Sequence, residues 1–308
     1  MARIAADKLH PKARAIVDQI ATLPQLPTLT PVEARGRPVP LEPAPEAVGS
    51  LTARTIPGPG GPMAIRIYRP KDALRAALVY FHGGGWVVGS LESADASCRA
   101  LANRSRCVVI SIDYRLAPET KFPGAVDDAY AATRWVADNA ADLRIDPTKI
   151  AVGGASAGGN LAAAAALVAR ERGGPKIAFQ LLTVPVAELS SKAGSHREFA
   201  EGYGLSAADM TWYGTHYVRT SADADDPHAS VVRADLHDLP PAFVITAECD
   251  PLRDDGEAYA EKLRELGISA RYKRYPGMFH GFMSFPNVLP EAAEAFEDAG
   301  KALREALA

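Results

Sequence analysis

Short, mostly apolar runs alternate along this chain with longer segments that show helical periodicity. An apolar residue at nearly every position is typical of a strand that is covered on both faces of its sheet. Strands that alternate with helices predict an α/β fold, in which helices cover both faces of a mostly parallel central sheet. The five apolar runs are Ala76–Phe81, Val108–Ile112, Ile150–Val152, Phe179–Val184 and Phe243–Thr246.

The other predicted elements surround these runs. Alternating residues over Ala64–Tyr68 predict one more strand, and a further strand is expected near Leu51–Ile56. Residues 187–220 break the alternation with a helical, aromatic segment, which we interpret as a lid at the carboxyl edge of the sheet that pairs with the N-terminal helix. Helical patterns cover about residues 8–22, 91–105, 124–142, 157–172, 255–266 and 290–307.

Length and charge exclude several classes of protein. A chain of 308 residues suggests about two domains, although α/β folds of this length often form one. With 34 basic and 37 acidic residues the net charge is −3, so we expect no binding of nucleic acid. Because no apolar stretch reaches about 20 residues, we also expect no membrane span.

The N-terminal residues and the cysteines indicate a reducing compartment. Charges at Asp7, Lys8 and Lys12 interrupt the apolar segment that a secretory signal peptide needs. An odd number of widely spaced cysteines argues against a disulfide framework. We therefore expect a cytoplasmic protein whose cysteines are unpaired, namely Cys98, Cys107 and Cys249.

The segment Gly154–Gly158 has the pattern G-x-S-x-G and lies between a predicted strand and an Ala-rich helix. A serine on such a sharp turn is held out over the edge of the sheet, where it can act as a nucleophile. Glycines before and after it let the strand and the helix approach closely, because they carry no Cβ. The alternative interpretation of this segment is a glycine-rich turn with a structural Ser156.

A second glycine-rich segment, His82–Gly85, directly follows a buried strand. Consecutive glycines expose backbone N–H groups, which is what an oxyanion hole requires. A phosphate-binding nest is the alternative. The oxyanion hole is favoured, because neither a Walker lysine nor a dinucleotide-binding glycine fingerprint is present.

A nucleophilic serine needs a base and an acid, which follow it in this order: serine, acid, histidine. His280 is the histidine that lies after every acid candidate, in a loop bracketed by two glycines. The acid candidates follow the predicted strand Phe243–Thr246, at the edge where catalytic groups gather in open α/β sheets. Asp254 and Asp255 resemble the first turn of a helix, and Asp250 is favoured over Glu248 without excluding it.

The acidic segment near residue 225 is a weaker candidate for chemistry. Its spacing fits no metal-binding template, so a solvated turn is the preferred interpretation. We therefore expect neither a metal nor an organic cofactor. The residues concerned are Asp223, Asp225, Asp226 and His228.

Six segments from about Arg66 to the C-terminus resemble, in matching order, one known family. They are HGGGW (His82–Trp86), DYRLAPE (Asp113–Glu119), FPGAVDDAY (Phe122–Tyr130), GASAGGNLA (Gly154–Ala162), DPLRDDGEAYAEKL (Asp250–Leu263) and FHGF (Phe279–Phe282). In this respect the chain resembles the hormone-sensitive-lipase-like esterases, also called bacterial family IV esterases, which have the α/β-hydrolase fold.

This resemblance implies a serine carboxylesterase for small-molecule esters with short to medium acyl chains. It favours Asp250 over Glu248 as the acid and assigns His82 to ordering its own loop. It implies one domain over residues 1–308, with a cap from about residues 1–45 and 187–220. The implied catalytic residues are Ser156, Asp250 and His280, and the implied oxyanion hole comprises Gly83, Gly84, Gly85 and Ala157.

Further expectations follow from the resemblance. A homodimer is expected through a late sheet edge near Ala270–Tyr275. An amide or lactone hydrolase with the same three residues is an alternative, and so is a receptor, because plant gibberellin receptors resemble the family but lack the catalytic histidine. The expected pocket residues are Trp86, Tyr203, Leu205, Trp212 and Phe282.

One residue departs from the family pattern. Ala155 stands where the family usually has Asp or Thr, whose side chain supports the nucleophile turn. We expect this difference to change the activity or its pH dependence without abolishing it.

Overall fold

The structure is a computed structural model that describes residues 8–37 and 45–308. Its centre is a single sheet of eight strands. The strands are β1 (Ser50–Gly58), β2 (Gly61–Arg69), β3 (Ala77–Phe81), β4 (Val108–Ile112), β5 (Ile150–Ala155), β6 (Phe179–Thr183), β7 (Ala242–Cys249) and β8 (Ala270–Phe279).

Helices connect the strands and cover the sheet. They are α1 (Pro11–Ala21), α2 (Pro31–Arg35), α3 (Asp95–Ser105), α4 (Gly124–Asp138), α5 (Ala157–Glu171), α6 (Gly194–Glu198), α7 (Ala207–Tyr217), α8 (Arg253–Glu265) and α9 (Pro290–Leu307). Among the described residues, no helix combines the length and the apolar character needed to cross a membrane.

The strands follow the order β1-β2-β4-β3-β5-β6-β7-β8 across the sheet. The β1–β2 and β2–β4 pairs are antiparallel, and all later pairs are parallel. The carboxyl ends of β5, β7 and β8 therefore meet at one edge, which is where polar groups converge in sheets of this kind.

Two hydrophobic cores lie on opposite faces of the sheet. Along β3, Val79 and Phe81 pack into the core beneath α4, α5 and α8. Leu78 and Tyr80 point the other way, into the core formed with α1, α3 and α9. Successive side chains of a strand alternate between faces, so an apolar run is needed wherever both faces are covered.

The α/β architecture and the mostly parallel sheet predicted from the sequence are confirmed. Each of the five apolar runs lies in or against a strand, and both earlier strands are present. The apolar pattern did not predict β8, because Arg271, Lys273 and Arg274 interrupt it, and only the family resemblance implied a late sheet edge near Ala270–Tyr275. The strand β8 occupies one edge of the sheet, where such side chains reach solvent.

The segments expected to form a cap carry short helices. Helices α6 and α7 fall within residues 187–220, and α1 and α2 precede the sheet. The two segments touch, since Trp212 Nε1 donates a hydrogen bond to Leu29 O over 3.1 Å. The part of the predicted cap in residues 1–7 and 38–44 lies outside the described residues.

Candidate active site

Ser156 occupies the turn between β5 and α5, near the middle of the sheet. Its φ of 55° and ψ of −117° are values that a residue with a side chain rarely adopts. Backbone hydrogen bonds hold the turn, because Ser156 N donates to Thr183 O over 2.8 Å and Asn160 N donates to Ser156 O over 3.1 Å. The strained turn fixes the half-buried serine at the carboxyl end of the sheet.

Close packing around this turn explains the two glycines of the G-x-S-x-G pattern. A Cβ on Gly158 would lie 2.0 Å from Phe81 O, and one on Gly154 would lie 2.4 Å from Gly158 O. Any side chain at either position would therefore push β5, α5 and β3 apart. The contact also ties the serine turn to the segment that follows β3.

The glycines after β3 lie against the serine turn. A Cβ on Gly83 would be 3.6 Å from the Cβ of Ser156, so the two loops are neighbours. Among the described residues, the N–H groups of Gly83, Gly84, Gly85 and Ala157 donate to no backbone carbonyl. Gly83 and Ala157 thus place N–H groups without a backbone acceptor next to the serine, the second of them at the N-terminus of α5.

The buried ring of His82 contacts the backbone of the glycine loop. Its side chain is 2% exposed, its Nδ1 lies 2.8 Å from Gly83 O, and its ring stacks on Tyr114 at 4.2 Å. Tyr114 Oη also donates to His82 O over 2.9 Å. Burial lowers the pKa of His82 to about 4, so the ring is neutral at pH 7 and Nδ1 carries the proton that it donates.

His280 links Ser156 to a buried carboxylate. The distance from His280 Nε2 to Ser156 Oγ is 3.0 Å, and that from His280 Nδ1 to Asp250 Oδ2 is 2.8 Å. Asp250 is fully buried, and its Oδ1 accepts a hydrogen bond from Leu252 N over 2.9 Å. An imidazole oriented in this way by an acid can take the proton of a neighbouring hydroxyl.

The second acid candidate, Glu248, makes a different contact. Its Oε2 accepts a hydrogen bond from Gly277 N over 2.8 Å, near the end of β8. Gly277 O in turn accepts from His10 N over 2.9 Å. The two acids thus have different partners. Asp250 contacts the imidazole of His280, whereas Glu248 binds the backbone at the end of β8, which leads to His280.

A cavity of about 1040 Å³ opens beside Ser156 and His280. Of the five predicted pocket residues, Trp86 and Leu205 line this cavity. Apolar and aromatic side chains provide much of its remaining wall, among them Tyr80, Val88, Val184, Val186, Leu189, Met210, Tyr213, Val218 and Leu252.

The structure places the other three predicted pocket residues away from the cavity lining. Tyr203 does not line the cavity and packs edge-on against Phe199, at a ring distance of 5.0 Å. Trp212 turns towards the segment before α2, where Leu29 O accepts its Nε1–H. Phe282 is fully buried in the core between the sheet and α9. An aromatic residue near the lid is therefore not by itself evidence of a pocket wall.

Helix α7 supplies pocket residues that the sequence analysis missed. Their spacing of three or four residues is the signal that could have found them, since it places them on one face of the helix. They are Ala207, Met210, Thr211, Gly214 and, just beyond the helix, Val218. Tyr213 also contacts the glycine loop, because a Cβ on Gly85 would lie 2.2 Å from its ring.

His196 lines the cavity together with His82 and His280. His196 Nε2 lies 3.0 Å from Asp255 Oδ2, and Ser191 Oγ donates to Asp255 Oδ1 over 2.6 Å. Burial alone would lower the pKa of His196, but the hydrogen bond to Asp255 and its charge outweigh burial and raise it. This cluster joins α6 and the segment before it to the start of α8, next to the loop that carries Asp250.

The acidic segment considered as a metal loop forms ion pairs instead. Asp223 pairs with Arg219 at 2.9 Å, and Asp225 pairs with Arg233 at 2.7 Å. Within residues 8–37 and 45–308, no group of three ligand-type side chains is arranged to hold a metal ion.

Comparison with known proteins supports the same family. A profile of the alpha/beta hydrolase fold family matches residues 78–284. A carboxylesterase of Mycobacterium tuberculosis is 43% identical over 250 residues, which are 79% of this chain and 78% of the relative. An arylesterase of Saccharolobus solfataricus is 45% identical over 227 residues, 73% of this chain and 74% of the relative.

A solved structure agrees over nearly the whole chain. The hyperthermophilic esterase from the archaeon Pyrobaculum calidifontis superposes with a TM-score of 0.89 at 44% identity, covering 96% of this chain and 98% of the other. Because the family profile spans more than half of the chain and the relatives cover most of it, the chain belongs to the hormone-sensitive-lipase-like esterases of the α/β-hydrolase superfamily.

Proposed function

We propose that this chain is a serine carboxylesterase that hydrolyses short- to medium-chain carboxylic esters through an acyl-enzyme. The observation that carries the proposal is the continuous line of hydrogen bonds from Ser156 through His280 to the buried Asp250. That line ends at a cavity large enough for a small ester. Two relatives, a carboxylesterase and an arylesterase, support the same reaction.

In the proposed acylation step, Ser156 Oγ forms a bond to the carbonyl carbon of the ester while its proton passes to His280 Nε2. Asp250 holds the ring in the tautomer that accepts this proton and stabilises the resulting cation. The tetrahedral intermediate then collapses, the bond from the carbonyl carbon to the alcohol oxygen breaks, and His280 returns the proton to the leaving alcohol. Water repeats the sequence and releases the acid and Ser156.

We propose that the negative charge on the carbonyl oxygen is stabilised by backbone N–H groups of Gly83, Gly84 or Gly85, together with that of Ala157. These groups have no backbone acceptor among the described residues, and Gly83 lies against Ser156. Ala157 begins α5, so the dipole of that helix also favours an anion there. Preorganised donors of this kind supply about 10²–10³-fold in kcat each.

A panel of p-nitrophenyl esters tests the proposed substrate class. We expect kcat/KM to be highest for acyl chains of about two to eight carbons and to fall for longer chains, since the cavity has a finite volume. An acyl p-nitroanilide and a lactone of matched size distinguish the alternative reactions. Faster turnover of either one than of the matched ester would contradict the proposal.

The proposed oligomer is a homodimer formed through β8, an edge strand of the sheet. Multi-angle light scattering at the concentration used for assays tests it, and a mass of one chain would contradict it. The proposed location is the cytoplasm, which is consistent with three cysteines that form no disulfide among the described residues. Cell fractionation with activity staining tests this location.

A further inference from the structure

The charged side chains on the cavity wall are almost all neutralised within the protein. Arg35 donates two hydrogen bonds to Glu119, at 2.8 and 2.6 Å, and one each to two backbone carbonyls. Glu188 pairs with Arg233 at 2.6 Å. His196 meets Asp255 at 3.0 Å. Each of these groups therefore already has a partner of opposite charge within the protein.

Arg37 is the exception. It lines the same cavity, just after α2, and its Nε is buried without a hydrogen-bond partner in the described part of the chain. No carboxylate among residues 8–37 and 45–308 pairs with its guanidinium. The main chain at this residue is held to the end of α2, because Arg37 N donates to Ala34 O over 3.2 Å.

Arg37 lines the same cavity as the glycines of the proposed oxyanion hole. Its charge acts on Tyr213, where burial raises the pKa of the phenol and the guanidinium opposes that rise. The Tyr213 ring packs directly against Gly85. Asp209, the acid that also acts on Tyr213, is already occupied by hydrogen bonds from Ser206 at 3.0 and 2.8 Å.

Burying a guanidinium N–H without a hydrogen-bond acceptor costs free energy, and a bound acceptor removes that cost. Its planar donor fork matches a carboxylate, which it binds through two parallel hydrogen bonds. A single uncompensated positive charge also matches a monoanion, whereas a dianionic phosphate would leave one negative charge unpaired.

We propose that Arg37 binds a carboxylate of the substrate, so that the enzyme prefers esters that carry one anionic carboxylate group away from the scissile bond. This inference rests on the proposed esterase function and adds the substrate class. Arg37 is here a specificity residue, and hydrolysis itself does not depend on it.

Two pairs of esters that differ only in charge test the proposal. Monoethyl adipate and the ethyl ester of adipamic acid place the carboxylate or a neutral carboxamide on the acyl side. The acetates of 4-hydroxybutanoate and 4-hydroxybutanamide place the same groups on the alcohol side. We expect kcat/KM of the wild type to favour the carboxylate about tenfold in one pair, the factor that a charged hydrogen bond supplies.

Substitution of Arg37 isolates the contact. Arg37→Gln is expected to abolish the preference for the carboxylate while leaving kcat/KM for the carboxamide within about twofold, and Arg37→Lys is expected to retain part of it. Arg54→Gln is the matched control, because it removes the same charge from β1, outside the cavity lining, where Arg54 pairs with Asp142. The control should keep the full preference.

The possible failures are distinguishable. An equal carboxylate-to-carboxamide ratio in the wild type and Arg37→Gln would overturn the role of Arg37, as would a wild-type preference for both carboxamides. If neither the neutral esters nor p-nitrophenyl butyrate were hydrolysed, the esterase function itself would fail. In that case isothermal titration calorimetry can test Arg37 without turnover. It compares the affinity of Ser156→Ala for monoethyl adipate with that of the double variant Ser156→Ala, Arg37→Gln, and equal affinities would overturn the role of Arg37.

Discussion

At the scale of single residues, the two acids at the end of β7 have different partners. Asp250 receives the imidazole N–H of His280, whereas Glu248 receives the backbone N–H of Gly277. The residue pattern favoured Asp250 without excluding Glu248, and the family resemblance strengthened that preference, because the two acids follow Thr246 at the same strand end by four and two residues. Which of two such side chains turns inwards depends on the irregular pairing of β7 with β8 near Ala247, which no local pattern reveals.

These contacts predict different consequences for matched amide substitutions. Asp250→Asn is expected to lower kcat on p-nitrophenyl butyrate by about 10⁴, because an amide cannot hold the imidazole in the accepting tautomer. Glu248→Gln is expected to lower it by less than about tenfold, with a small loss of stability from the weakened bond to Gly277. Steady-state kinetics on both variants decide this, and equal losses would show that the two acids share one role.

The buried His82 predicts an acid-dependent loss of stability. Its pKa is lowered to about 4 in the folded protein, so between pH 6.5 and 4 the unfolded chain binds one more proton than the folded one. Stability from this residue is therefore complete above pH 6.5 and is lost as the pH falls, by about 3 kcal/mol at pH 4.

His82→Asn isolates this effect, because asparagine does not titrate yet can still donate a hydrogen bond to Gly83 O. The free energy of unfolding in urea, measured for both proteins from pH 7 to pH 4.5, should fall more steeply in the wild type. Parallel curves would mean that His82 is not the buried neutral base described here.

At the scale of elements, the joint between β5 and α5 depends on the absence of side chains. Gly158→Ala is expected to lower the free energy of unfolding by about 3 kcal/mol, since its Cβ would meet Phe81 O at 2.0 Å. Gly214→Ala is the matched control, because a Cβ on that residue of α7 meets nothing within 4 Å. Replacing a helical glycine should stabilise by about 0.5–1 kcal/mol.

Urea unfolding of both glycine variants measures these effects. Gly158→Ala should also lose esterase activity in the fraction that remains folded, because the clash pushes β3 and the glycine loop away from Ser156. If both variants were equally stable, the packing of α5 on β3 would be looser than the structure indicates.

Elements buried on both faces were predictable, and those at the margins were not. The strands β3 to β7 carry apolar residues at nearly every position, so their existence follows from composition alone. The edge strand β8 carries basic residues and lacks that pattern. On α7 the aromatic residue Trp212 was predicted to line the pocket. The side chains that do face the cavity are instead those at helical spacing from Ala207.

At the scale of the whole molecule, sheet topology brings distant motifs together. Ser156 and His280 are separated by 124 positions, yet β5 and β8 end at the same edge and leave Oγ and Nε2 3.0 Å apart. The order of motifs along the chain predicted this meeting. The shape of the cavity was not predictable, since it is formed by loops and short helices whose packing against the sheet depends on contacts such as Trp212 with Leu29.

The most direct test of the account is the attachment of an acyl-like group to Ser156. Wild-type enzyme treated with a p-nitrophenyl alkylphosphonate should gain the mass of one phosphonyl group on the peptide that carries Ser156, and should lose its esterase activity in step. Ser156→Ala should gain no mass and hydrolyse p-nitrophenyl butyrate at least about 10⁴ times more slowly. Labelling elsewhere with equal loss of activity, or full hydrolysis by Ser156→Ala, would contradict the proposed mechanism.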